Sequence, residues 1–431
     1  MERLEISTRS IALFAIGVVP ILARRINIGG IGIILPVVWI LLVGYFVIKR
    51  GKLLRLNNRV YLYYFVMCLL YIRDGSFMEY ISLITDTLIL FVLVADGIKS
   101  EEDFFRGIKI IAVLASILAV FAIIETFTDF NLFDFIANAP VEKVGANGYR
   151  YGLTRARGPF TTPINYCVYI LFSLGVIAYG LLNDLKGKSF WLIAWSLSVA
   201  AALCTLSRAP MLAIALSQIL IFWRAGVFSR LKTYAKVMVA VFLIAVLSYF
   251  FDISIVTDMF NRIVAMFMAI IKPDVATSIT NTGEFGINAD GVGQRLILFV
   301  WIADEINKSL ISLLFGAGVG TGFSKFVSNI FTKTSIENHY LSVLFHTGVI
   351  GLIAECSLLL SILVFIKKSG FQFTEEKKLS FSSMMTISTL LYYITMFTVD
   401  TFDDKRIFVV LIALLYAKNR CFIATERVSK R

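Results

Sequence analysis

Residues 110–124 read IIAVLASILAVFAII, an apolar run without a charged side chain. Such a run is apolar on every face, whereas a helix on the surface of a soluble domain carries a single apolar stripe. The segment around it, 107–125, is close to the roughly 20 residues that a helix needs to cross a hydrocarbon core about 30 Å thick. The run therefore predicts a helix that spans a membrane.

Similar apolar runs recur along the whole chain. Of its 431 residues 58% are apolar and 16% charged, whereas a typical soluble domain is about half apolar and about a quarter charged. Because no small-residue cleavage site follows the first run, we interpret it as a retained span rather than a signal peptide. The sequence predicts an all-α polytopic membrane protein, one integral membrane domain over 1–431, with twelve candidate spans: 10–23, 28–48, 60–72, 78–97, 107–125, 164–182, 189–205, 209–223, 237–256, 340–366, 381–399 and 407–417.

The basic residues predict which ends of the spans face the cytoplasm. With the N-terminus inside, 25 of the 41 Lys and Arg residues fall on inner segments and 16 on outer ones. Six of those 16 lie in the longest outer loop, which the positive-inside rule does not count. Both termini are therefore predicted to be cytoplasmic. This topology also explains the net charge of +12, so no nucleic-acid partner is expected.

Two long loops remain, 126–163 and 257–339, and both are predicted on the outer side. The inner segments are too short for a nucleotide-binding domain and no Walker motif occurs, so a pump driven by ATP within this chain is excluded. Neither loop contains a cysteine pair, and with two histidines and no Cys/His cluster we expect no metal site. Any chemistry would use an already activated substrate at the outer face.

Arginines group at the outer ends of predicted spans. Arg150, Arg155 and Arg157 lie within eight residues before one span, and Arg208 lies in a short turn before another. The planar guanidinium presents a rigid fork of donors that fits phosphate oxygens. Contact with lipid headgroups is the structural alternative for the first group, and snorkelling to the interface is the alternative for Arg208.

The longer outer loop carries a further arginine, Arg295. It begins a segment, 294–305, that is predicted as a helix along the outer interface because its ends are too polar to span. Residues 314–323 follow, with glycine at alternate positions. Since no strand precedes them and the G-x-G-x-x-G spacing fails, we expect tight turns and close backbone approach rather than nucleotide binding.

Four titratable residues fall at or within predicted spans of the bundle. Glu337 and His339 stand where the chain re-enters the membrane, and His339 is a candidate general base, although a single histidine at a span end is more often structural. Asp86 and Glu355 are predicted within spans, where a carboxylate is expensive to bury. They have either a structural role, protonated or paired, or an ion-coupling role in a transporter or flippase of a lipid-linked or anionic substrate. The sequence has no clear inverted repeat, which counts against transport.

Taken in chain order, these motifs resemble the superfamily of O-antigen ligases and O-antigen polymerases of the Wzy type, which are bacterial membrane glycosyltransferases. The resemblance covers roughly residues 150–365, and each motif alone is weakly specific. The matching residues are Arg157, Gly158, Pro163, Asn165, Ser207, Arg208, Arg295, Trp301, Leu314, Phe315, Gly316, Gly318, Gly320, Asn338, Tyr340, Leu341, Gly348, Gly351 and Leu352.

The resemblance implies a GT-C-like helical fold and transfer of undecaprenyl-diphosphate-linked glycans at the periplasmic face of the bacterial inner membrane, without a metal or other cofactor. The implied partners are the donor and acceptor glycans, membrane lipid and, as a candidate, a polysaccharide chain-length regulator. Arginines would hold the diphosphate, a general base would deprotonate the acceptor hydroxyl, and two residues would shape the site. The diphosphate-binding candidates are Arg157, Arg208, Arg295 and, second in rank, Arg150; the site-shaping ones are Asn338 and Tyr340.

One position departs from the family pattern. Many members have a histidine three residues before the motif tyrosine, and in this chain that position is Glu337, while His339 lies between Asn338 and Tyr340. Either Glu337 is the base, or His339 replaces it, or the arginines act without either. Because ligases more typically keep the histidine, we predict a polymerase of O-antigen or a related surface polysaccharide. The alternative is an O-antigen ligase, which transfers the glycan to lipid A–core.

Overall fold

A computed structural model describes residues 8–20, 57–136, 149–150, 153–183, 185–227, 299, 302–319, 336, 338–370, 379–398 and 405–429. Within these ranges the chain is almost entirely helical. The helices are α1 (Thr8–Val18), α2 (Asn58–Arg73), α3 (Phe77–Ile84), α4 (Leu90–Gly97), α5 (Glu101–Thr128), α6 (Pro163–Leu182), α7 (Lys188–Cys204), α8 (Arg208–Arg224), α9 (Leu310–Phe315), α10 (His339–Gly370), α11 (Phe381–Thr395) and α12 (Arg406–Ser429). A π-helix, Thr85–Ile89, joins α3 to α4, a 3₁₀ turn covers Leu132–Ile136, and strands β1 (Tyr149–Arg150) and β2 (Leu153–Thr154) pair antiparallel.

The predicted spans that fall in the described ranges coincide with helices. Four helical segments of this part are long and apolar enough to cross a membrane, and Thr8–Val18 and Lys188–Cys204 are shorter apolar helices. The chain is therefore a mostly helical protein with the segments expected of an all-α membrane protein. The four segments that are long and apolar enough to cross a membrane are Phe77–Gly97, Glu101–Thr128, Pro163–Leu182 and His339–Ser369. The predicted spans 28–48 and 237–256 lie outside the described residues.

Helix α5 contains the uncharged apolar run 110–124. The hydroxyl of Ser100 accepts a hydrogen bond from the Asp103 amide at 3.1 Å, which caps the first turn. Three acidic residues in that turn, Glu101, Glu102 and Asp103, stabilise the positive end of the helix dipole. The helix ends where Asp129 adopts a left-handed conformation with φ 61°.

Helix α6 forms the centre of the bundle. In its most apolar stretch 89% of the residues are buried, as expected for a helix that is hydrophobic on all faces. It contacts α5, α7, α8, α11 and α12. The ring of Phe172 packs against Tyr392 of α11 and Phe408 of α12, with centroids 5.2 Å apart in both cases. The helices that carry the candidate site residues are thus fixed to one core.

Two ends of the bundle can be distinguished by the contacts between helix termini. At one end the start of α10 meets the end of α11, since the His339 amide donates to the Met396 carbonyl at 2.8 Å. At the other, Asn183 after α6 donates to the Leu379 carbonyl before α11 at 2.9 Å. The starts of α6, α8, α10 and α12 therefore share an end with the C-termini of α5, α7 and α11, and we name it the His339 end.

Helix α10 is interrupted at Gly348, whose φ of 66° and ψ of −167° are not helical. Gly316, after α9, lies against this break so closely that a Cβ on Gly316 would be 2.6 Å from the Gly348 nitrogen. The carbonyls of Phe345 and His346 accept hydrogen bonds from the amides of residues 317 and 318, at 2.8 and 3.1 Å. The break is therefore satisfied by backbone partners. This confirms the predicted close approach at the first two of the alternating glycines; the later ones lie outside the described residues.

The two parts of α10 turn sharply relative to each other at this break. His339 and Glu355 are 16 residues apart, yet His339 Nε2 lies 3.5 Å from Glu355 Oε1. In a straight helix that separation would span about 24 Å along the axis. Residues 339–347 therefore fold back toward the part of α10 that follows Gly348. Of the interfacial helix predicted over 294–305, only residues 299 and 302–305 are described, and they are helical.

Candidate functional site

Polar side chains at the His339 end form two clusters. The arginine cluster consists of Glu125, in the last turn of α5, and of Asn131, Asp134, Arg155 and Arg157, which lie between α5 and α6. The histidine cluster consists of His339 and Glu355 of α10 and Lys405, which directly precedes α12. Both clusters are built from helix ends that α6 and its neighbours hold in place.

Glu125 organises the arginine cluster. Glu125 is only 1% exposed, and its Oε2 accepts from the amides of Arg157 at 3.1 Å and Gly158 at 2.9 Å. Its other oxygen, Oε1, accepts from Asn131 Nδ2 at 2.6 Å. A carboxylate with three such donors can be buried without an unsatisfied oxygen. Glu125 thereby fixes the backbone of the segment that leads into α6.

Arg155 attaches this segment to the turn between α7 and α8. Its Nε donates to the Thr205 carbonyl at 3.2 Å and its Nη2 to the Ser207 hydroxyl at 2.8 Å. The Ala156 amide also donates to the Cys204 carbonyl at 2.9 Å. Arg155 is 5% exposed, so the structure gives it a role in joining two helix ends.

Arg157, a predicted diphosphate ligand, is 5% exposed and paired with two carboxylates. Its Nη2 lies 3.1 Å from Asp134 Oδ2 and its Nε 3.9 Å from Glu125 Oε1. Burial lowers the pKa of this guanidinium, and the nearby charge of Glu125 opposes the shift. Arg157 is thus held rigidly at the His339 end, with its charge balanced by protein groups.

The other predicted diphosphate ligands are described less fully. Arg208 is the first residue of α8 and is partly buried beside the Thr205–Ser207 turn. Arg150 belongs to β1, and its side chain lies outside the described part. Arg295 and Glu337 also lie outside the described residues. The structure therefore brings Arg157 and Arg208 to the same end of the bundle and leaves the two others as predictions.

The histidine cluster is a buried ion pair with an imidazole beside it. His339 and Glu355 are both fully buried, at 0% exposure. Lys405 Nζ lies 2.8 Å from Glu355 Oε1, and His339 Nε2 lies 3.5 Å from the same oxygen. A buried carboxylate is tolerated only when it is paired in this way. The cluster connects both parts of the broken α10 to the start of α12.

A second ion pair lies next to the first. Arg406 Nη2 contacts Asp86 Oδ2 at 2.9 Å, and Asp86 belongs to the π-helix between α3 and α4. Both predicted intramembrane carboxylates are therefore paired, which is one of the alternatives that the sequence left open. Their partners, Lys405 and Arg406, are two of the 16 basic residues on predicted outer segments, and the sequence pattern alone did not single them out. The signal that could have found them is the match of two adjacent cations with two carboxylates inside apolar segments.

The two predicted site-shaping residues fix the start of α10 against α11. Asn338 Oδ1 accepts from the Leu341 amide at 3.0 Å, which caps the helix, and its Nδ2 donates to the Phe397 carbonyl at 2.9 Å. The Tyr340 hydroxyl donates to the Tyr393 carbonyl at 3.1 Å. These contacts hold His339 between two anchored neighbours.

The other histidine of the chain, His346, lies in the part of α10 before the break and is partly exposed. Its Nδ1 lies 3.0 Å from the Gly318 carbonyl.

Within the described ranges, no group of three or more His, Cys, Asp or Glu residues is arranged to hold a metal ion.

A comparison of the chain with models of known protein families and with curated proteins finds no match. What the chain does must therefore be inferred from the residues and contacts described above.

Replacing Glu125 by Ala is expected to destabilise the segment around Arg157. Three buried donors would lose their acceptor, and each such loss costs roughly 1–3 kcal/mol. We expect the free energy of unfolding to fall by about 3 kcal/mol or more, measured by denaturant titration of the purified protein in detergent. Glu102→Ala is the control because Glu102 is 68% exposed in its ion pair, and its effect should stay within about 0.5 kcal/mol. Equal effects of the two substitutions would contradict the assigned role of Glu125.

Proposed function

We propose that this chain is a glycosyltransferase that polymerises undecaprenyl-diphosphate-linked repeat units of O-antigen or a related surface polysaccharide. In this proposal the fold is GT-C-like with about twelve spans, and the His339 end faces the periplasm of a bacterial inner membrane. The observation that carries it is the grouping at one end of the bundle of Arg157, Arg208 and the His339–Glu355–Lys405 cluster. Arg157 and Arg208 belong to the motifs that resemble the O-antigen ligase and polymerase superfamily, and His339 and Glu355 adjoin them.

In the transfer reaction the protein must stabilise the departing diphosphate and provide a path for the proton of the acceptor hydroxyl. The bond between the anomeric carbon of the donor glycan and the diphosphate oxygen breaks, and the acceptor hydroxyl oxygen bonds to that carbon. Undecaprenyl diphosphate leaves with the bonding electrons, and cations near it stabilise the charge that develops. The hydroxyl proton passes to a general base or to water. No metal or other cofactor is required by this scheme.

The diphosphate is assigned to Arg157, Arg208 and Arg295, with Arg150 as a secondary ligand. The pairing of Arg157 is compatible with this role because its two carboxylate partners differ in exposure. The Asp134 side chain is 25% exposed and that of Glu125 is 2% exposed. An incoming diphosphate can displace Asp134, while Glu125 keeps the guanidinium in position.

The general base is assigned to Glu337 in preference to His339. A base must come within hydrogen-bonding reach of the acceptor hydroxyl, and the ring of His339 is fully buried beside Glu355. His339 is then a positioning residue at the start of α10, two positions after Glu337. A Glu337→Gln variant that retains full transfer activity would leave His339 or the arginines alone as the remaining alternatives.

Arg295→Ala tests the function in cells that lack the chromosomal copy of the gene. We expect lipopolysaccharide that carries a single repeat unit, because diphosphate departure is no longer assisted while ligation of the first unit continues. Gel electrophoresis of lipopolysaccharide measures the ladder of chain lengths. Arg224→Ala, at the far end of α8 from Arg208, is the control and should keep the full ladder. A normal ladder with well-expressed Arg295→Ala protein contradicts the proposal, and loss of even the single repeat indicates a ligase.

A transporter of a lipid-linked or anionic substrate is the second candidate. The observations that favour it are the break of α10 at Gly348 and the π-helix that contains Asp86, since transporters use discontinuous helices at their binding sites. Purified protein mixed with synthetic lipid-linked repeat units in detergent separates the two candidates. Polymer formation without any ion gradient supports the transferase, and its absence together with gradient-dependent movement in vesicles supports the transporter.

A further inference from the structure

A cavity of about 230 Å³ lies at the His339 end, between α2, the segment from α3 to the π-helix, α10 and the start of α12. It is much larger than the space of a single water, about 30 Å³ in the liquid. Its polar wall is formed by Tyr71, Glu79, Asp86, His346, Lys405 and Arg406. We name it the Asp86 cavity.

The charges in the wall of the Asp86 cavity are balanced. Arg406 contacts Asp86 at 2.9 Å, and Lys405 contacts Glu355 behind the wall at 2.8 Å. Glu79 adds a further carboxylate to the lining. A phosphate group that bound both cations would have to displace Glu355, which is fully buried, as well as Asp86. It would also meet the negative charge of Glu79. The wall therefore does not have the excess of donors and positive charge that phosphate sites present.

The same wall fits a ligand with many hydroxyl groups. A hydroxyl donates one hydrogen bond and accepts up to two, so it can pair with a carboxylate such as Glu79 as well as with a cation such as Lys405. Met67 and Val343 supply apolar surface on the same cavity, which suits the C–H faces of a sugar ring. Small-ligand sites commonly combine an apolar lining with a few positioned polar groups.

We propose that the Asp86 cavity binds an uncharged sugar residue of the acceptor glycan. This assignment rests on the proposed function and supplies the acceptor site for it, while the diphosphate of the donor is bound by the predicted arginines. The pairs Asp86–Arg406 and Glu355–Lys405 hold the hydrogen-bonding groups of the wall in place. Glu79, which is exposed and forms one edge of the cavity, contacts a sugar hydroxyl directly.

The test is calorimetric titration of the full-length protein in detergent with two probes. One is the uncharged oligosaccharide repeat unit released from the lipid-linked intermediates of the cell that makes this protein, and the other is inorganic pyrophosphate. In Glu79→Gln we expect the Kd for the oligosaccharide to rise about 10-fold, because the sugar hydroxyl then donates to a neutral amide oxygen in place of a charged carboxylate, which is the stronger acceptor. Glu101→Gln, an exposed residue at the opposite end of the bundle, is the control and should leave the Kd unchanged.

The direction in which Glu79→Gln changes the Kd for the oligosaccharide and the Kd for pyrophosphate distinguishes a sugar site from an anion site. Removing the charge of Glu79 weakens hydroxyl binding but strengthens the binding of an anion. The proposal is overturned if the oligosaccharide does not bind, if Glu79→Gln leaves its Kd unchanged, or if only the pyrophosphate affinity rises. Because binding is measured without donor lipid, a failed transfer assay alone would overturn the proposed function and leave the sugar site standing.

Discussion

Gly348→Ala should be among the most damaging single substitutions in the described part of this chain. Gly348 has a φ of 66°, and with a ψ of −167° it lies in a region that is essentially restricted to glycine, at a cost of roughly 1–3 kcal/mol for other residues. A Cβ there would also lie 2.4 Å from the Leu314 carbonyl oxygen, and overpacking of this kind costs about 1–3 kcal/mol more. We expect the free energy of unfolding to fall by about 4 kcal/mol and transfer activity to be lost with it.

The matched control for this prediction is Gly75→Ala. Gly75 also has a positive φ, 68°, but a Cβ at this position would meet no described atom within 4 Å. Its substitution should therefore reveal backbone strain alone, about 1 kcal/mol. Chemical denaturation of both variants in the same detergent gives the comparison. If the two losses are equal, the close contact between α10 and the segment after α9 does not contribute to stability.

The positions of helices could be predicted from the sequence wherever a single long apolar run forms a single helix. The predicted spans 107–125 and 164–182 fall inside α5 and α6, because a run that is apolar on all faces has few other stable arrangements near a bilayer. The glycines at positions 316 and 318 were expected to allow close backbone approach, and they do. That the approach is to Gly348 depends on contacts between distant parts of the chain, which periodicity does not encode.

The ion pairs could be predicted only in part, for the same reason. Asp86 and Glu355 were recognised as costly groups inside apolar segments, but their partners lie far along the chain, at Arg406 and Lys405. The turn of α10 that brings His339 to Glu355 was not predicted, because residues 340–366 read as one continuous apolar span. The described candidates Arg157, Arg208 and His339 lie at helix ends on one side of the bundle, whereas the pairing of the charges around them required the tertiary structure.

Glu355→Ala tests the histidine cluster and should be comparably severe. The substitution would leave the ammonium of Lys405, whose side chain is 13% exposed, without its carboxylate. Breaking a buried pair from one side typically costs about 3–5 kcal/mol, and we expect a loss of that size in the free energy of unfolding. The surface pair Glu102–Arg106 provides the control, since its side chains are 68% and 53% exposed, and Glu102→Ala should cost about 0–1 kcal/mol.

A double variant, Glu355→Leu with Lys405→Met, separates stability from positioning. Replacing both members of a buried pair by apolar residues of similar size is often neutral, so most of the lost stability should return. Activity should not return with it, because His339 would no longer have the Glu355 oxygen 3.5 Å from its ring to hold it at the start of α10. Transfer assays on the folded double variant, with kcat and KM measured separately, show whether activity returns together with stability. If the double variant regains both stability and kcat, the cluster only stabilises the fold, and the assignment of His339 as a positioning residue must be abandoned.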